Sequence, residues 1–534
     1  MKQNWVKALL IAGTAVWLSA AAGAQSVSEV YDVAVIGAGG GGLGAAARLA
    51  RAGKKVLVLE QHDKVGGYMT AFERDDYRFE VSLHAMDGLD DPGGMNRASF
   101  RELGILDKVK PIKLDPMYRT VYPDLDLVIP GDADAYRDLL KQQFPAEAQG
   151  LDRLFATERK IYDALNGLMC LMNGEYGKAL ANPSKYWPLI KYWNSTLSEM
   201  LAKSIHDPKL IAIFTQLAGY AGAEPDNVSA IFFSVMWGSY HFGGYYHFVG
   251  GSQAVSNALA EVIRENGGTI LLKTLVTRIV IQDGQAVAVQ TKDGQEFKCR
   301  YVVSNASAPA TFFKLIGKEY LPADYVKELE DLKIGLSAFN VYLGVDHDYT
   351  PVFNGMHQIM INESYDPHQN FLYYYEGVPE KAGFAIANYS VVDSTWAPKG
   401  KNSIVLTSIL PYDWKDGWHE SESYEKYDTL KTETAKIFIK RAEKYLPGLS
   451  EHIEVMEVGS PRTMEHYTLN PRGTIFGWDN IPEQSMMKRL PQETPIPNLF
   501  LAGAWTFPGG GQSAVLSSGL MAAEKVLDKD KNNK

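Results

Sequence analysis

A glycine-rich run lies between two stretches with opposite structural preferences near the start of the chain. Residues 31–36 are rich in β-branched side chains and predict a buried strand, and residues 45–52 favour a helix. Between them, Gly37, Gly39 and Gly42 suit a tight turn, a close backbone approach to a pyrophosphate, and close packing of helix on strand. The helix start also offers free N–H groups to phosphates. The run therefore predicts a dinucleotide-binding site.

A second apolar stretch, residues 55–60, predicts a strand that ends in an acid. Glu60 lies 18 residues after Gly42, close to the spacing at which an acid binds a ribose hydroxyl in such sites. A carboxylate at this position repels a 2′-phosphate, which argues against NADP here. The pair Gly66-Gly67 follows and brings a second length of backbone close to the same ligand.

The composition is that of a globular enzyme of more than one domain. The chain has 534 residues, of which 46% are hydrophobic and 22% are charged. Its formal net charge of −10 gives no electrostatic basis for a nucleic-acid partner. Cys170 and Cys299 allow at most one disulfide and no multi-thiolate zinc site. We predict no bound metal.

The N-terminus has the pattern of a secretory signal peptide. Lys2 and Lys7 precede an uncharged stretch, residues 8–24, which ends in Ala-Gly-Ala. The stretch is short for a bilayer span. We predict that residues 1–24 are a signal peptide and that the mature protein is exported, periplasmic or secreted. A retained N-terminal membrane anchor is the alternative.

Residues 32–89 resemble the phytoene desaturase, carotenoid isomerase and retinol saturase family of FAD-dependent enzymes, a branch of the amine-oxidase-like flavoproteins. The resemblance continues in residues 248–269, 274–306 and 498–511. It implies an α/β fold with a Rossmann-type, glutathione-reductase-like FAD-binding domain and a second α+β substrate domain built from insertions. The expected FAD-binding segments are 28–115, 245–315 and 490–530, and the expected substrate-binding segments are 116–244 and 316–489.

The resemblance also implies which residues hold non-covalent FAD. The backbone of Val276 pairs with the adenine edge, and a helix from Ser513 to about Leu527 directs its positive end at the flavin ring. Many relatives carry an acid after the glycine equivalent to Gly503, whereas Trp505 follows Ala504 here, either as a wall of the site or as an ordinary packed aromatic. The expected cofactor-binding residues are Gly37, Ala38, Gly39, Gly42, Glu60, Gln61, Gly66, Gly67, Val276, Gly503, Ala504, Ser513, Ala514 and Val515.

The segments between the cofactor blocks are unusually aromatic. Residues 134–222 are predicted to be mostly helical, and residues 336–410 to form several strands. Aromatic side chains cluster in residues 232–248 and again in residues 371–375. Such side chains often fill a core, but a cluster that runs into a cofactor block favours an apolar substrate channel.

His84 and Tyr467 are the candidate catalytic residues. His84 belongs to a block that the family places near the flavin, and as a general acid it can protonate one carbon of a double bond. A structural histidine is the alternative. Tyr467 belongs to a segment that resembles a pocket-lining segment of the family. His241 and His247 border the aromatic cluster and are weaker candidates. Neither cysteine lies in the C-terminal block, so no cysteinyl-flavin link is expected.

The resemblance implies an FAD-dependent, phytoene dehydrogenase-like oxidoreductase that acts on CH–CH groups. It would saturate or desaturate carbon–carbon double bonds of an apolar polyene or isoprenoid. A flavin-dependent cis–trans polyene isomerase is the main alternative. An amine oxidase and a non-catalytic periplasmic carrier of flavin or lipid are the others. The expected partners are a lipophilic small molecule, NAD(P) or a quinone for electron exchange, and a peripheral membrane contact.

Overall fold

The computed structural model describes residues 30–81, 85–90, 95–172 and 182–532. The predicted signal peptide, residues 1–24, and the candidate acid His84 lie outside the described residues, so both stay predictions. None of the helices in the described ranges is long and apolar enough to cross a membrane.

The strands of the described residues form two seven-stranded sheets and two small sheets of two and three strands. In chain order the strands are β1 (Tyr31–Ile36), β2 (Val56–Leu59), β3 (Ala71–Arg74), β4 (Tyr77–Glu80), β5 (Met86–Asp87), β6 (Pro111–Lys113), β7 (Tyr118–Tyr122), β8 (Leu125–Ile129), β9 (Tyr245–Phe248), β10 (Thr269–Leu271), β11 (Val276–Gln282), β12 (Gln285–Thr291), β13 (Glu296–Ser304), β14 (Ala338–Val345), β15 (Gln358–Ile361), β16 (Phe384–Asn388), β17 (Asn402–Ile409), β18 (Ile453–Gly459) and β19 (Leu499–Leu501). The main α-helices are Gly40–Arg51, Met95–Leu103, Ala133–Gln143, Ala148–Met172, Trp187–Tyr192, Leu197–Leu201, Pro208–Phe214, Ala218–Ala221, Ala230–Gly243, Gly251–Glu265, Ala323–Asp331, Thr350–Phe353, Pro367–Glu376, Tyr424–Ala442, Pro461–Thr468 and Gln512–Asn532.

The first sheet is parallel around β1. Its order is β10-β2-β1-β13-β12-β11, and β19 pairs in parallel with the last part of β13. Apolar residues run through β1 and β2 without polar alternation because both faces of these strands are covered. Helices Gly40–Arg51, Gly251–Glu265 and Gln512–Asn532 pack on one face. This arrangement confirms the predicted Rossmann-type α/β fold.

The second sheet carries the remaining long strands, in the order β18-β14-β17-β16-β15-β7-β8. Neighbouring strands are antiparallel except β15 and β7. One face packs on the helix Tyr424–Ala442, and the other turns toward the helical layer built from residues 133–243. The strands of the first sheet fall in segments 28–115, 245–315 and 490–530, and those of the second in 116–244 and 316–489.

Residues 336–410 contain the predicted strands but also a helix that the strand prediction missed. The helix Pro367–Glu376 carries the second aromatic cluster. The side chain of Asp366 caps it by accepting hydrogen bonds from the N–H groups of His368 and Gln369, and Gly377 ends it with a φ of +67°. Asp-Pro at the start and glycine at the end are helix boundary signals, and they outweigh the β propensity of the tyrosines between them.

Helices Gly40–Arg51 and Gln512–Asn532 touch backbone to backbone. A Cβ atom on Gly519 would overlap the carbonyl oxygen of Gly41 and lie 2.8 Å from the amide nitrogen of Ala45. A Cβ on Gly44 would lie 3.2 Å from the carbonyl oxygen of Leu516. Because these neighbours are backbone atoms, they cannot move aside as a side chain can.

We therefore expect Gly519→Ala to separate the two helices and destabilise the fold by about 1–3 kcal/mol, the usual cost of overpacking. Thermal unfolding monitored by circular dichroism measures the loss as a lower Tm. Gly219→Ala is the matched control, since a Cβ there has no neighbour within 4 Å. Equal Tm values for the two variants would contradict the helix contact.

Candidate active site

The glycine loop follows β1 and is held by its own backbone hydrogen bonds. Gly37 has a φ of +87°, a left-handed conformation that favours glycine. Its N–H donates to the carbonyl of Leu59 at 2.8 Å, and the carbonyl of Ala38 accepts from the N–H of Gly66 at 2.8 Å. Gly39 and Gly66 also form a parallel bridge. The structure thus brings the predicted Gly66-Gly67 segment against the loop.

Glu60 lies at the carboxyl end of β2 and is buried. Its Oε2 accepts a hydrogen bond from the N–H of Ala38 at 2.7 Å, and its Oε1 accepts one from the N–H of His62 at 2.9 Å. Two carboxylate oxygens have about four acceptor sites, so capacity remains for ribose hydroxyls. Besides its predicted role, Glu60 therefore fixes the loop itself.

The segment before β11 lies directly beside Glu60. The N–H of Thr274 donates to the Glu60 carbonyl at 2.7 Å, and the N–H of Lys273 donates to the His62 carbonyl at 2.8 Å. Val276 opens β11 two residues later and is buried. Its backbone is thereby placed on the Glu60 side of the loop, where the adenine end of a dinucleotide belongs.

A buried acid joins the first cofactor segment to the second. Glu80, at the end of β4, accepts hydrogen bonds from both the N–H and the hydroxyl of Ser252 at the start of the helix Gly251–Glu265. Burial raises the pKa of Glu80 to about 8. When the Glu80 carboxylate is ionised, the positive end of the helix Gly251–Glu265 partly offsets the free energy that burial of its charge costs.

The third cofactor segment meets the loop at Gly503. A Cβ atom on Gly41 would lie 2.6 Å from the Gly503 amide nitrogen. Gly503 has a φ of +98°, and its N–H donates to the Ser518 hydroxyl at 3.0 Å. The side chain of Asn305 lies next to both segments: its Nδ2 would be 2.7 Å from a Cβ on Gly39. Asn305 was not predicted, although its place at the carboxyl end of β13, next to β1, is where such sites form.

A cavity of about 360 Å³ opens beside this junction and extends into the second domain. The predicted residues Ser513, Ala514 and Val515 line it at the start of the helix Gln512–Asn532, and the predicted residue Ala504 lines it after β19. Gln512 lines it as well, and its buried Oε1 has no hydrogen-bond partner in the part of the chain that the structure describes. A glycine loop, an acid with spare acceptor capacity and a cavity at a helix N-terminus together fit an FAD that extends from the loop toward the cavity.

The rest of the lining is mostly apolar, as predicted for a substrate channel. The two aromatic clusters divide between the channel and the core. Phe232, Tyr240 and Phe371 line the cavity, whereas Trp237 packs inside the helical layer. The remaining apolar lining includes Tyr68, Met69, Leu165, Val235, Met236, Met360, Met486 and Phe507.

Asp87 is the one charged residue among the described residues that line the cavity. It lies in β5, three residues after His84, and its Oδ1 accepts a hydrogen bond from the hydroxyl of Ser513. Burial raises the pKa of Asp87 above its usual value, with hydrogen bonds from Ser513 and Ser239 acting against it. The predictions omitted this residue, although the apolar stretch around it is a sequence indication of burial.

A buried arginine fixes the cavity wall. The guanidinium of Arg489 donates to the carbonyls of Ala504 at 3.0 Å, Phe476 at 2.8 Å and Trp478 at 2.8 Å, and to the side chain of Asn480 at 2.9 Å. Burial lowers its pKa to about 9. This residue ties the loop at 476–480 to the third cofactor segment. The sequence carries no pattern that indicates this role, because three of its four partners are backbone carbonyls.

Tyr467 does not line the described cavity, which corrects the prediction of a substrate contact. The residue is 54% exposed and its ring lies 5.5 Å from that of His62. Its carbonyl accepts a hydrogen bond from Gln61 Nε2 at 3.0 Å. These contacts place Tyr467 and Gln61 on the Glu60 side of the loop. The helix Pro461–Thr468 ends at this side.

Three other residues also pack away from the cavity. Trp505 lies against Trp478 at 4.7 Å and donates to Asn470, so it is a packed aromatic and not a wall of the site. The ring of His241 lies 4.3 Å from that of Trp237 in a tilted arrangement, and burial lowers the pKa of His241 to about 3. His247 packs near Trp396 in a small core cluster at 5.8 Å. Buried aromatic surroundings explain these placements.

Two groups of relatives resemble this chain over most of its length. Prolycopene isomerase 1, chloroplastic, of an Oncidium hybrid cultivar is 29% identical over 515 residues, which cover 95% of this chain and 85% of that protein. All-trans-retinol 13,14-reductase of Danio rerio is 26% identical over 520 residues, which cover 90% of this chain and 83% of that protein.

Solved structures share the fold. An oxidoreductase from Methanosarcina mazei has a TM-score of 0.62 at 19% identity and covers 93% of this chain and 99% of its own. Cyclohexylamine oxidase from Brevibacterium oxydans IH-35A has a TM-score of 0.60 at 15% identity and covers 94% of this chain and 100% of its own. The family model for flavin containing amine oxidoreductases matches residues 41–527, which begin at the end of the glycine loop and include the Glu60 segment and the Gly503 segment. This chain belongs to the flavin containing amine oxidoreductase family.

Proposed function

We propose that this flavoprotein saturates or desaturates a carbon–carbon double bond of an apolar polyene or isoprenoid. The observation that carries the proposal is the cavity: it begins at the cofactor segments and its described lining contains a single charged residue, Asp87. An apolar lining with few polar groups suits a lipophilic substrate. The relatives named for prolycopene isomerisation and retinol 13,14-reduction support a polyene.

When bound, flavin supplies the exchange of hydride with a substrate carbon. The chain must then hold the substrate, exclude water and move a proton. The apolar wall around Phe232, Tyr240 and Phe371 excludes water. Burial raises the pKa of Asp87, and in its protonated form this residue donates a proton to the second carbon of the double bond during saturation and takes it back during desaturation. Ser513 orients the carboxyl group through its hydrogen bond.

Isomerisation is the second candidate, because one group of relatives carries that name. Product mass distinguishes it from saturation. Purified flavoprotein should be reduced anaerobically and mixed with a panel of conjugated polyenes, with NAD(P)H and a quinol as alternative electron donors. We expect a product two hydrogen atoms heavier than the substrate. An unchanged mass with a shifted spectrum indicates an isomerase. In a separate aerobic assay of the oxidised flavoprotein with amines, peroxide formation would indicate an amine oxidase. No product from any polyene would contradict both polyene functions.

Asp87→Asn should lower kcat by about 10²- to 10⁴-fold, since an amide cannot supply the proton. The acid works in its protonated form, so wild-type activity should fall as pH rises through the Asp87 pKa, and the variant should lose this limb of the pH profile. Asp90→Asn is the control, because Asp90 is a nearby exposed acid paired with Lys113 at 2.7 Å. If Asp87→Asn keeps the wild-type pH profile, Asp87 is not the proton donor.

We also propose a peripheral membrane contact at the helix Trp187–Tyr192. Trp187 and Ile190 are 64% and 66% exposed, and Lys185 and Lys191 flank them. Exposed aromatic and aliphatic side chains beside lysines suit the surface of an anionic bilayer. The helix packs on Ala148–Met172, whose Leu165 lines the cavity.

The double variant Trp187→Ser/Ile190→Ser should reduce co-sedimentation with phosphatidylcholine–phosphatidylglycerol vesicles several-fold, because it removes the apolar contact. Tyr424→Ser is the control, since Tyr424 is 75% exposed elsewhere. If wild-type protein stays in the supernatant, the membrane contact is wrong. Export through residues 1–24 stays a separate prediction, and a quinone is the proposed electron partner if export occurs.

A further inference from the structure

The helix Pro367–Glu376 lies between the cavity and solvent. Side chains three and four residues apart lie on the same face of a helix, and one such face lines the cavity. Away from that face, the side chain of His368 is 55% exposed and Tyr375 is 41% exposed. The helix is therefore the full thickness of the wall at this place. The residues of the lining face are Pro367, Asn370, Phe371 and Tyr374.

Few buried side chains hold this helix in place. Of its ten residues, Asn370 and Phe371 alone are buried. The helix Ala230–Gly243, which also lines the cavity, has eight buried residues among its fourteen. Segments with few buried contacts open at a lower free-energy cost than the rest of a structure. Of these two helices in the cavity wall, Pro367–Glu376 is therefore the one that opens more readily.

The loop 222–229 is a firmly held part of the same wall. Its Pro225 lines the cavity, and the Pro225 carbonyl accepts a hydrogen bond from the N–H of Ser198 at 3.0 Å. Within the loop, the Glu224 carbonyl accepts one from the N–H of Asn227 at 2.9 Å. The loop therefore offers a fixed edge to a helix that closes against it.

A pair of side chains joins the helix to this loop. Nδ1 of His368 lies 2.7 Å from Oε2 of Glu224. The other oxygen of the Glu224 carboxylate accepts a hydrogen bond from Nδ2 of Asn227, and the Glu224 side chain is only 9% exposed. The carboxylate is thus held by its own loop, while the histidine reaches it from the weakly held helix.

The strength of this pair depends on pH. The hydrogen bond to Glu224 raises the pKa of His368 above its usual value, and the nearby charges of Glu224, Asp366 and Asp226 act in the same direction. Below that pKa the pair is an ion pair, and as pH rises through it His368 loses its charge and the attraction weakens. Exposed ion pairs contribute little free energy, so this contact breaks readily.

We propose that the helix Pro367–Glu376 is a lid on the cavity and that the His368–Glu224 pair is its latch. A ligand enters and leaves between the helix and the loop 222–229 when the lid is open. When the lid is closed, Phe371 completes the apolar wall and water is excluded, as lids do in other enzymes. The proposal adds a route of entry to the proposed function, on which it rests for the apolar nature of the ligand.

Stopped-flow fluorescence with diphenylhexatriene, an apolar conjugated probe, measures this exchange in the intact flavoprotein. Glu224→Gln and His368→Ala each remove the ion pair. We expect each variant to raise both kon and koff about two- to five-fold, the range that an exposed ion pair provides. Kd should stay unchanged, because neither residue belongs to the described lining of the cavity.

Asp346→Asn is the matched control. Oδ1 of Asp346 lies 2.8 Å from Nδ1 of His452, in a pair whose side chains are 45% and 36% exposed. The pair has the same chemistry as the latch, but neither member is part of the described cavity lining. The variant should therefore keep the wild-type kon and koff.

The pH dependence provides a second measurement. In the wild-type protein, kon and koff should both rise as pH increases through the pKa of His368. The variant Glu224→Gln should lose most of this rise, because its amide attracts neutral and protonated histidine more equally. Ionisation of Asp87 inside the cavity changes Kd instead, and that effect should remain in the variant.

Wild-type values of kon and koff in both latch variants would overturn the lid, and polyene turnover in that case would leave the proposed function standing. A change in koff alone, with a matching change in Kd, would also contradict the latch, because it would mean that the pair contacts the ligand. If diphenylhexatriene binds neither the wild-type protein nor any variant, the apolar cavity of the proposed function and the lid are both wrong.

Discussion

Three separate lengths of backbone approach each other more closely than side chains allow, and the rest of the structure depends on that approach. The loop after β1 meets the Gly66-Gly67 segment through the Gly39–Gly66 bridge and meets Gly503 through Gly41. Residues far apart in the chain can share one ligand only because of these contacts. Three helices pack on one face of the first sheet, and two of them are in backbone contact at Gly519. This packing holds the three lengths of backbone in position relative to one another.

The fold and the cofactor segments could be predicted because their signals are local. A strand, a glycine run and a helix lie within residues 31–52, and Glu60 follows at a characteristic spacing. The helix Pro367–Glu376 was missed because its aromatic content favours strands, whereas its Asp-Pro start and its terminal glycine were the better signals.

The catalytic part of the site was harder to predict, since it depends on contacts between distant segments. Burial raises the pKa of Asp87. The hydrogen bond that orients its carboxyl group comes from Ser513, more than 400 residues later in the chain. Arg489 acts on backbone carbonyls, which leave no sequence pattern. Tyr467 was expected in the pocket from its neighbours in sequence, yet the end of its helix turns it toward His62. Residue type and spacing predict local geometry and not tertiary proximity.

Protein groups supply hydrogen bonds that shape the glycine loop and its surroundings. Ala38 is held by Glu60 and Gly66, Gly503 by Ser518, and the adjoining wall by Arg489. Segments held by such hydrogen bonds are preorganised, and preorganisation reduces the conformational entropy that binding a nucleotide costs. Such preorganisation lets a nucleotide be captured by an already folded polypeptide, with no need for the two to assemble together during synthesis.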